Sequence, residues 1–338
     1  MLSDRFSNTM ARLCLIISAF CTIVIVSAVA DELPRLDTRP VATFSIVGHD
    51  PETGELGVAV ASRFFTVGNV VPWAKAGVGA VATQSYANTS FGWRGLELLE
   101  SGLTPDEAMT VLLRDDDKPT RRQVGIVSAN GLSATYTGED CLDWAGGRIG
   151  PHYAAQGNIL AGETVVTEME RAFLETEGTL ADRLYAALLA GEAAGGDSRG
   201  KQSAALLVVK EGAGYGGWTD RAIDVRVDDH PEPFKELGRI LKIAQMNYAW
   251  NEAWTLFTTG EFKAALVPME RAVSLAPEYG EVWYDLACIK LGVGDKAAAL
   301  DAITKALQLN PKLTEAAGKD DDLAKLRGDP RFEKLLGK

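Results

Sequence analysis

Histidine and cysteine are scarce in this chain, and their scarcity limits its chemistry. Only three histidines occur among 338 residues, His49, His152 and His230. None is spaced from another as metal ligands on one helix or hairpin would be, which argues against a histidine-based metal centre. No metal and no other cofactor is expected. Four cysteines are present. Cys14 and Cys21 fall in an apolar leader, and Phe20 is a poor predecessor for a lipid-attachment cysteine. Cys141 and Cys288 fall in regions of different character, so they read as two unpaired thiols. Gly195-Gly-Asp-Ser-Arg-Gly200 has glycines but follows no strand pattern, which argues against a nucleotide loop or a nucleophile elbow. Basic residues are also in deficit, 34 Lys and Arg against 46 Asp and Glu, for a net charge of −12. Removing the net +1 of residues 1–30 leaves −13. Such a surface argues against nucleic acid and anionic membranes as partners.

What is present suits an exported globular protein. Hydrophobic residues make up 46% of the chain and charged residues 24%, enough for a sizeable core. Arg5 and Arg12, the apolar run Leu13 to Val26 and Ala28-Val29-Ala30 read as a signal peptide over residues 1–30, cleaved after Ala30. An uncleaved anchor is the alternative, since the run is long. Either reading places the rest in the periplasm or outside the cell. Residues 31–40, with two prolines and mixed charge, read as a linker.

From residue 41 the pattern is strand-like: Thr43–Val47, Glu55–Ser62 and Gly77–Gln84 are β-rich runs around turn residues. Helical spacing follows over Trp93–Glu100, and Thr104-Pro-Asp-Glu107 has the form of a capping box. Asn130-Gly131 between Arg122–Ala129 and Leu132–Thr137 signals a hairpin. Glu163–Thr176 and Leu180–Gly191 read as a second helical pair, and Ser203–Lys210 and Ala222–Val227 as closing strands. Helices thus gather in two blocks instead of alternating singly with strands. That order predicts an α+β domain over 41–230, a four-layer αββα sandwich of two antiparallel sheets between helix layers.

From residue 231 to 338 the pattern is helical and repetitive. Gly260, Ala265, Leu266, Ala272, Leu275 and Pro277 recur 34 residues later as Gly294, Ala299, Leu300, Ala306, Leu309 and Pro311. This is the tetratricopeptide period. Repeats are expected over about 246–279 and 280–313, with a cap over 319–337 closing the apolar face that two repeats leave open.

Thr43-Phe-Ser-Ile-Val47, Gly57-Val-Ala-Val-Ala-Ser-Arg63, Gly157-Asn158 and Gly195-Gly-Asp-Ser-Arg-Gly-Lys-Gln-Ser-Ala-Ala-Leu206 resemble the domain-of-unknown-function family numbered 1028. That family is grouped by resemblance with the N-terminal-nucleophile hydrolases, whose fold is the αββα sandwich. The resemblance implies a mechanism: a Thr, Ser or Cys becomes the first residue, and its α-amine takes the proton from its own side chain as that group attacks an amide. A nearby cation keeps the amine partly neutral. Carried onto this chain, the pattern makes Thr43 the nucleophile. Lys75, 32 residues further on, is the tuning cation at the spacing of proteasome-type members, and Arg63 is the alternative. Ser45, Ser62, Gln84, Asn88, Asp197, Arg199 and Gln202 become candidate substrate contacts.

Each assignment has a plainer counterpart. Thr43 suits a strand as a β-branched residue, and Lys75 suits the surface as a solvated charge. Arg63 with Asp197 would serve as an ion pair, and Gln84, Asn88 and Gln202-Ser203 would satisfy backbone groups at strand ends. Twelve residues, Asp31 to Ala42, separate the signal from Thr43, so a free amine there requires a second cut. Two functions follow. One is an amidohydrolase acting on a small amide or peptide outside the cytoplasm. The other is a non-catalytic protein that binds a protein partner through its repeats. Either admits a homo-oligomer.

Overall fold

The computed structural model describes residues 43–337; the signal peptide and linker expected over 1–40 lie outside them. Ten strands among the described residues form two antiparallel sheets. One has six strands in the order β10-β9-β2-β1-β8-β7: β1 Thr43–His49, β2 Leu56–Ser62, β7 Trp144–Gly150, β8 Tyr153–Leu160, β9 Ser203–Val209 and β10 Arg221–Val227. The other has four in the order β3-β4-β5-β6: β3 Pro72–Lys75, β4 Gly79–Ser85, β5 Arg122–Ser128 and β6 Ser133–Thr137. Every pairing is antiparallel. The described chain is therefore α+β, with a β-rich first part and a helical second part.

Helices cover the sheets because both are apolar on their outer faces. α1 (Ser90–Glu100) and α2 (Pro105–Arg114) bury Phe91, Leu96, Leu99, Met109 and Leu112 against Val81, Val124 and Ile126 of the four-stranded sheet. The Thr104–Glu107 capping box forms and starts α2. α3 (Thr164–Glu175) and α4 (Leu180–Ala193) bury Val166, Met169, Phe173, Leu184 and Leu188 against Phe44, Ile46 and Leu206 of the six-stranded sheet. A third cluster, including Val47, Leu56, Val58, Val60, Ala80, Ala82 and Val127, fills one end of the space between the sheets.

The period of two in β1 decides what faces that space. Phe44 and Ile46 turn toward the helices. Thr43 and Ser45 share the opposite face with Val47, so the inter-sheet core is apolar at one end and polar at the other.

The helical part begins with α5 (Pro233–Thr258), 26 residues long. Its first turns belong to the sandwich core through Phe234, Leu237 and Leu241. Its later turns belong to the helical core through Met246, Ala249 and Ala253. Packing thus changes partners inside one helix, beyond the 230/231 boundary expected from composition. Gln245 marks the changeover, donating to Asp182 Oδ1 at 2.7 Å beside the N-cap of α4. α6 (Phe262–Leu275), α7 (Gly280–Gly292) and α8 (Lys296–Leu309) follow, then the short α9 (Thr314–Lys319) and α10 (Pro330–Leu335). α9 begins 34 residues after α7, and α10 begins 34 after α8. The cap keeps the register of a third, shortened repeat, and it buries Leu323, Leu326 and Phe332 in the helical core. Among the described residues no helix is long and apolar enough to cross a membrane. Cys141 and Cys288 are free thiols.

Candidate functional site

Thr43 opens β1 and lies opposite Ser62 of β2 on one side and Asn158 of β8 on the other. It is fully buried, and its Oγ1 donates to Ser62 Oγ at 3.2 Å. Beyond it lies a network of neutral polar side chains crossing between the sheets. Ser45 Oγ donates to Gln84 Oε1 at 2.6 Å. Gln84 Nε2 donates to the Thr43 carbonyl at 3.2 Å and to Gln123 Oε1 at 2.8 Å. Gln156 Nε2 donates to Ser45 Oγ at 2.7 Å and to the Ser45 carbonyl at 3.1 Å. Asn158 Nδ2 donates to Gln123 Oε1 at 2.8 Å, and Gln123 Nε2 donates to the Gly157 carbonyl at 2.7 Å. Gln84, Gln123, Gln156 and Asn158 are all fully buried. Burial of this kind is tolerated only when donors and acceptors pair.

Two backbone positions at this end are unusual. Ser85 and Ile159, the residues after Gln84 and Asn158, have φ of 64° and 54°. A β-branched residue such as Ile159 in the left-handed region is strained, and such strain concentrates at functional sites. Ser85 lies beside the Cys141 thiol; burial raises the pKa of that thiol, while Ser85 opposes the rise.

The rim next to Ser62 gathers four of the expected residues. The Arg63 amide donates to Asp197 Oδ2 at 2.9 Å, and the Arg63 guanidinium donates to the Arg199 carbonyl at 3.2 Å. Asp197 is also held by the Arg199 amide and guanidinium at 2.8–3.0 Å. The Gln202 amide donates to the Ser62 carbonyl at 3.1 Å, while its side chain turns to Asp229. That backbone bond continues the β2–β9 pairing one step past Ser62. Asp197 thus acts as a fully bonded anchor of the rim, and Gln202 satisfies a strand end.

Two expected residues are not brought to Thr43. Lys75 pairs with Glu100 at 2.5 Å in an exposed ion pair on the four-stranded sheet. It lies opposite Gly79, whereas Gln84 of the same β4 reaches Thr43. The five residue steps from Gly79 to Gln84 span about 17 Å at roughly 3.3 Å each. The assignment of Lys75 as a cation tuning a Thr43 amine is therefore corrected, because such tuning acts at short range. Asn88 is committed elsewhere: it accepts from Ser90 at the start of α1 and donates to Asp116 Oδ2 at 2.6 Å. Burial pushes the Asp116 carboxyl up, but hydrogen bonds from Arg122 and Asn88 hold it below its ordinary value. Arg63 is the expected cation that remains at the correct end of the sheet.

Gln123, Gln156 and Asn158 are the residues that sequence reasoning missed. The signal was Gln156 and Asn158 at alternate positions of β8; Gln123 is the single amide of β5.

An antiparallel two-sheet core with a strand-opening Thr at its polar end, joined through a shared helix to tetratricopeptide repeats, defines the class of protein. The chain belongs to the family of unknown function DUF1028, whose model matches residues 43–237. A tetratricopeptide repeat model matches residues 280–313. A protein of the same family from Silicibacter pomeroyi, known from its crystal structure, is 32% identical, with a TM-score of 0.56 over 60% of this chain and 86% of that one. The crystal structure of MamA is 19% identical over 30% of this chain and 68% of that one, with a TM-score of 0.21. Comparison with curated proteins gives no match.

Proposed function

We propose that the chain is an exported amidohydrolase of the N-terminal-nucleophile type, acting on a small amide or peptide. The observation that carries the reading is the position of Thr43: first residue of a central strand, side chain in the inter-sheet space, Oγ1 bonded to Ser62 at 3.2 Å. The order of helix pair, four-stranded sheet, six-stranded sheet and helix pair supports the αββα sandwich of that superfamily. A cut between Ala42 and Thr43 would free the α-amine. Thr43 Oγ1 would then attack the amide carbon while the amine takes its proton. The C–N bond breaks, the leaving nitrogen departs with that proton, and water hydrolyses the resulting ester. Arg63 is the cation proposed to keep the amine partly neutral.

Intact-mass and N-terminal analysis of the mature protein tests this reading. Thr43 at the N-terminus, with hydrolysis lost in Thr43→Ala, supports it. A mature chain that begins at Asp31 and stays intact overturns it. The periplasmic or secreted location is part of the same proposal and rests on residues 1–30.

The repeats support a second activity. A tetratricopeptide array gives the chain the capacity for protein interaction. Trp254, 40% exposed and stacked on Phe257 at 5.2 Å between ring centres, offers an aromatic anchor on α5. In this reading the array would deliver the hydrolase domain to a protein partner.

A further inference from the structure

Asn158 carries a buried acceptor without a partner. Its side chain is fully buried, and Oδ1 has no hydrogen bond. The orientation of the amide is set by its neighbours. Gln123 Nε2 donates to the Gly157 carbonyl at 2.7 Å and to Thr137 Oγ1 at 2.9 Å, so the nitrogen of Gln123 must lie on that side. Gln123 Oε1 then faces Gln84 Nε2 and Asn158 at 2.8 Å each, and only the Nδ2 of Asn158 can serve there. Turning Asn158 over would set two carbonyl oxygens against each other. Its Oδ1 is held unpaired as a consequence. An unmet acceptor of this kind carries a desolvation penalty, and a donor arriving from outside the fold would recover it.

The surroundings say what kind of donor fits. Thr43, Ser45, Ser62, Ser85, Gln84, Gln123, Gln156 and Asn158 are all neutral and all buried. At the rim Asp197 is held by the Arg63 backbone amide and by Arg199, and the Arg63 guanidinium donates to the Arg199 carbonyl. A carboxylate at Asn158 Oδ1 would meet an oxygen instead of a donor, and an ammonium or amidinium would be desolvated with no counter-charge. Ser85 adds a second buried hydroxyl, beside the Cys141 thiol, able to donate to a carbonyl. Thr43 and Asn158 are direct cross-strand neighbours, so their Cβ atoms lie about 5 Å apart.

We infer that this polar end of the inter-sheet core binds an uncharged carboxamide or ureido group, with Asn158 Oδ1 accepting its N–H beside Thr43. The inference deepens the proposed hydrolase reading by naming its substrate class, a compound whose reacting end is a neutral primary amide or urea. Asn158 is a specificity-determining residue in this assignment.

Acetamide, acetate and acetamidinium test it, since they share one shape and differ in charge. Each is titrated into the full-length mature protein carrying Thr43→Ala, which removes hydrolysis from the experiment, and the side-chain amide resonances of the ¹⁵N-labelled protein are followed. Acetamide should bind at least tenfold more tightly than either ion. Asn158→Leu should weaken acetamide binding at least tenfold while the melting temperature stays level or rises, because an unmet acceptor has been removed. Equal binding of an ion, or acetamide binding unchanged in Asn158→Leu, overturns the inference. In a chain that keeps Thr43, an Asn158→Leu effect confined to the pH profile of hydrolysis also overturns it, since the acceptor would then serve the Thr43 amine. Acetamide binding by a chain whose N-terminus is Asp31 would sustain the inference while the hydrolase reading falls.

Discussion

Asp285 on α7 gives the helical array an unusual dependence on pH. Burial, followed by the neighbouring Asp320, Asp322 and Glu281, pushes its carboxyl up to about 6 from 3.8, against a hydrogen bond from Trp250 Nε1 at 2.7 Å. The folded pKa is raised above the unfolded one, so the favourable contribution is complete below about 4 and is lost as pH rises through about 6. A shift of about 2 units corresponds to roughly 3 kcal/mol between the two limits. The array should therefore be more stable at pH 5 than at pH 8. Asp285→Asn keeps an acceptor for Trp250 without the charge, and it should raise stability at pH 8 while leaving pH 5 nearly unchanged. Hydrogen exchange by mass spectrometry on peptides from 280–309 of the full-length protein reads this locally, without requiring two-state unfolding of the whole chain. Equal protection in wild type and Asp285→Asn at pH 8 would refute the reasoning.

Three other outcomes are expected. Gly125→Ala should cost more than about 2 kcal/mol and loosen the polar network, because a Cβ there would lie 2.0 Å from Gln156 Oε1, whose amide is fixed by Ser45; denaturant unfolding followed by tryptophan fluorescence checks this. The sandwich should respond to acid in the opposite sense from the array. Burial and then His152 hold His49 below its ordinary value, so stability present above about 6.5 falls as pH drops toward the folded pKa; exchange rates in peptides around 43–56 and 150–155 report it. Phe332→Ala, at a fully buried site of the shortened third repeat, should cost about 3–5 kcal/mol and release the array before the sandwich, seen as early loss of helical signal on heating.

Much of the fold could be read from the sequence because its signals were local. The capping box at Thr104, the 34-residue repeat and the two helix blocks each depend on neighbouring residues alone. β7 and β8 were not legible. Trp144–Gly150 is rich in glycine, and Tyr153–Leu160 mixes small and polar residues because it is buried on both faces as an interior strand of the larger sheet. Alternation marks strands with one wet face, and β8 has none. Losing β8 meant losing Gln156 and Asn158, so only Thr43, Ser45, Ser62 and Gln84 of the polar network were anticipated. Lys75 failed for a related reason. A spacing of 32 residues fixes chain length between two groups, but the β3–β4 hairpin turns that length away from Thr43.

The polar end of the sandwich is hard to explain as a means of stability. Apolar residues fill the other end of the same inter-sheet space with no polar atoms to satisfy. Replacing three glutamines and an asparagine by leucine and valine there would remove the desolvation cost and the need for matched geometry. The network is in addition incomplete, since Asn158 Oδ1 is left without a hydrogen bond, and the two residues that follow Gln84 and Asn158 adopt strained backbone angles. Each feature destabilises on its own, and all of them fall at the one end of the core where Thr43 opens its strand. Such a concentration of cost is expected where groups must be held ready for something outside the fold. If the arrangement served packing alone, a variant carrying Gln123→Leu and Asn158→Leu together would be more stable and otherwise unchanged. The proposed function predicts a different pair of results: higher stability in that variant, and complete loss of both acetamide binding and amide hydrolysis. Retention of either activity in the stabilised variant would remove the network from the site.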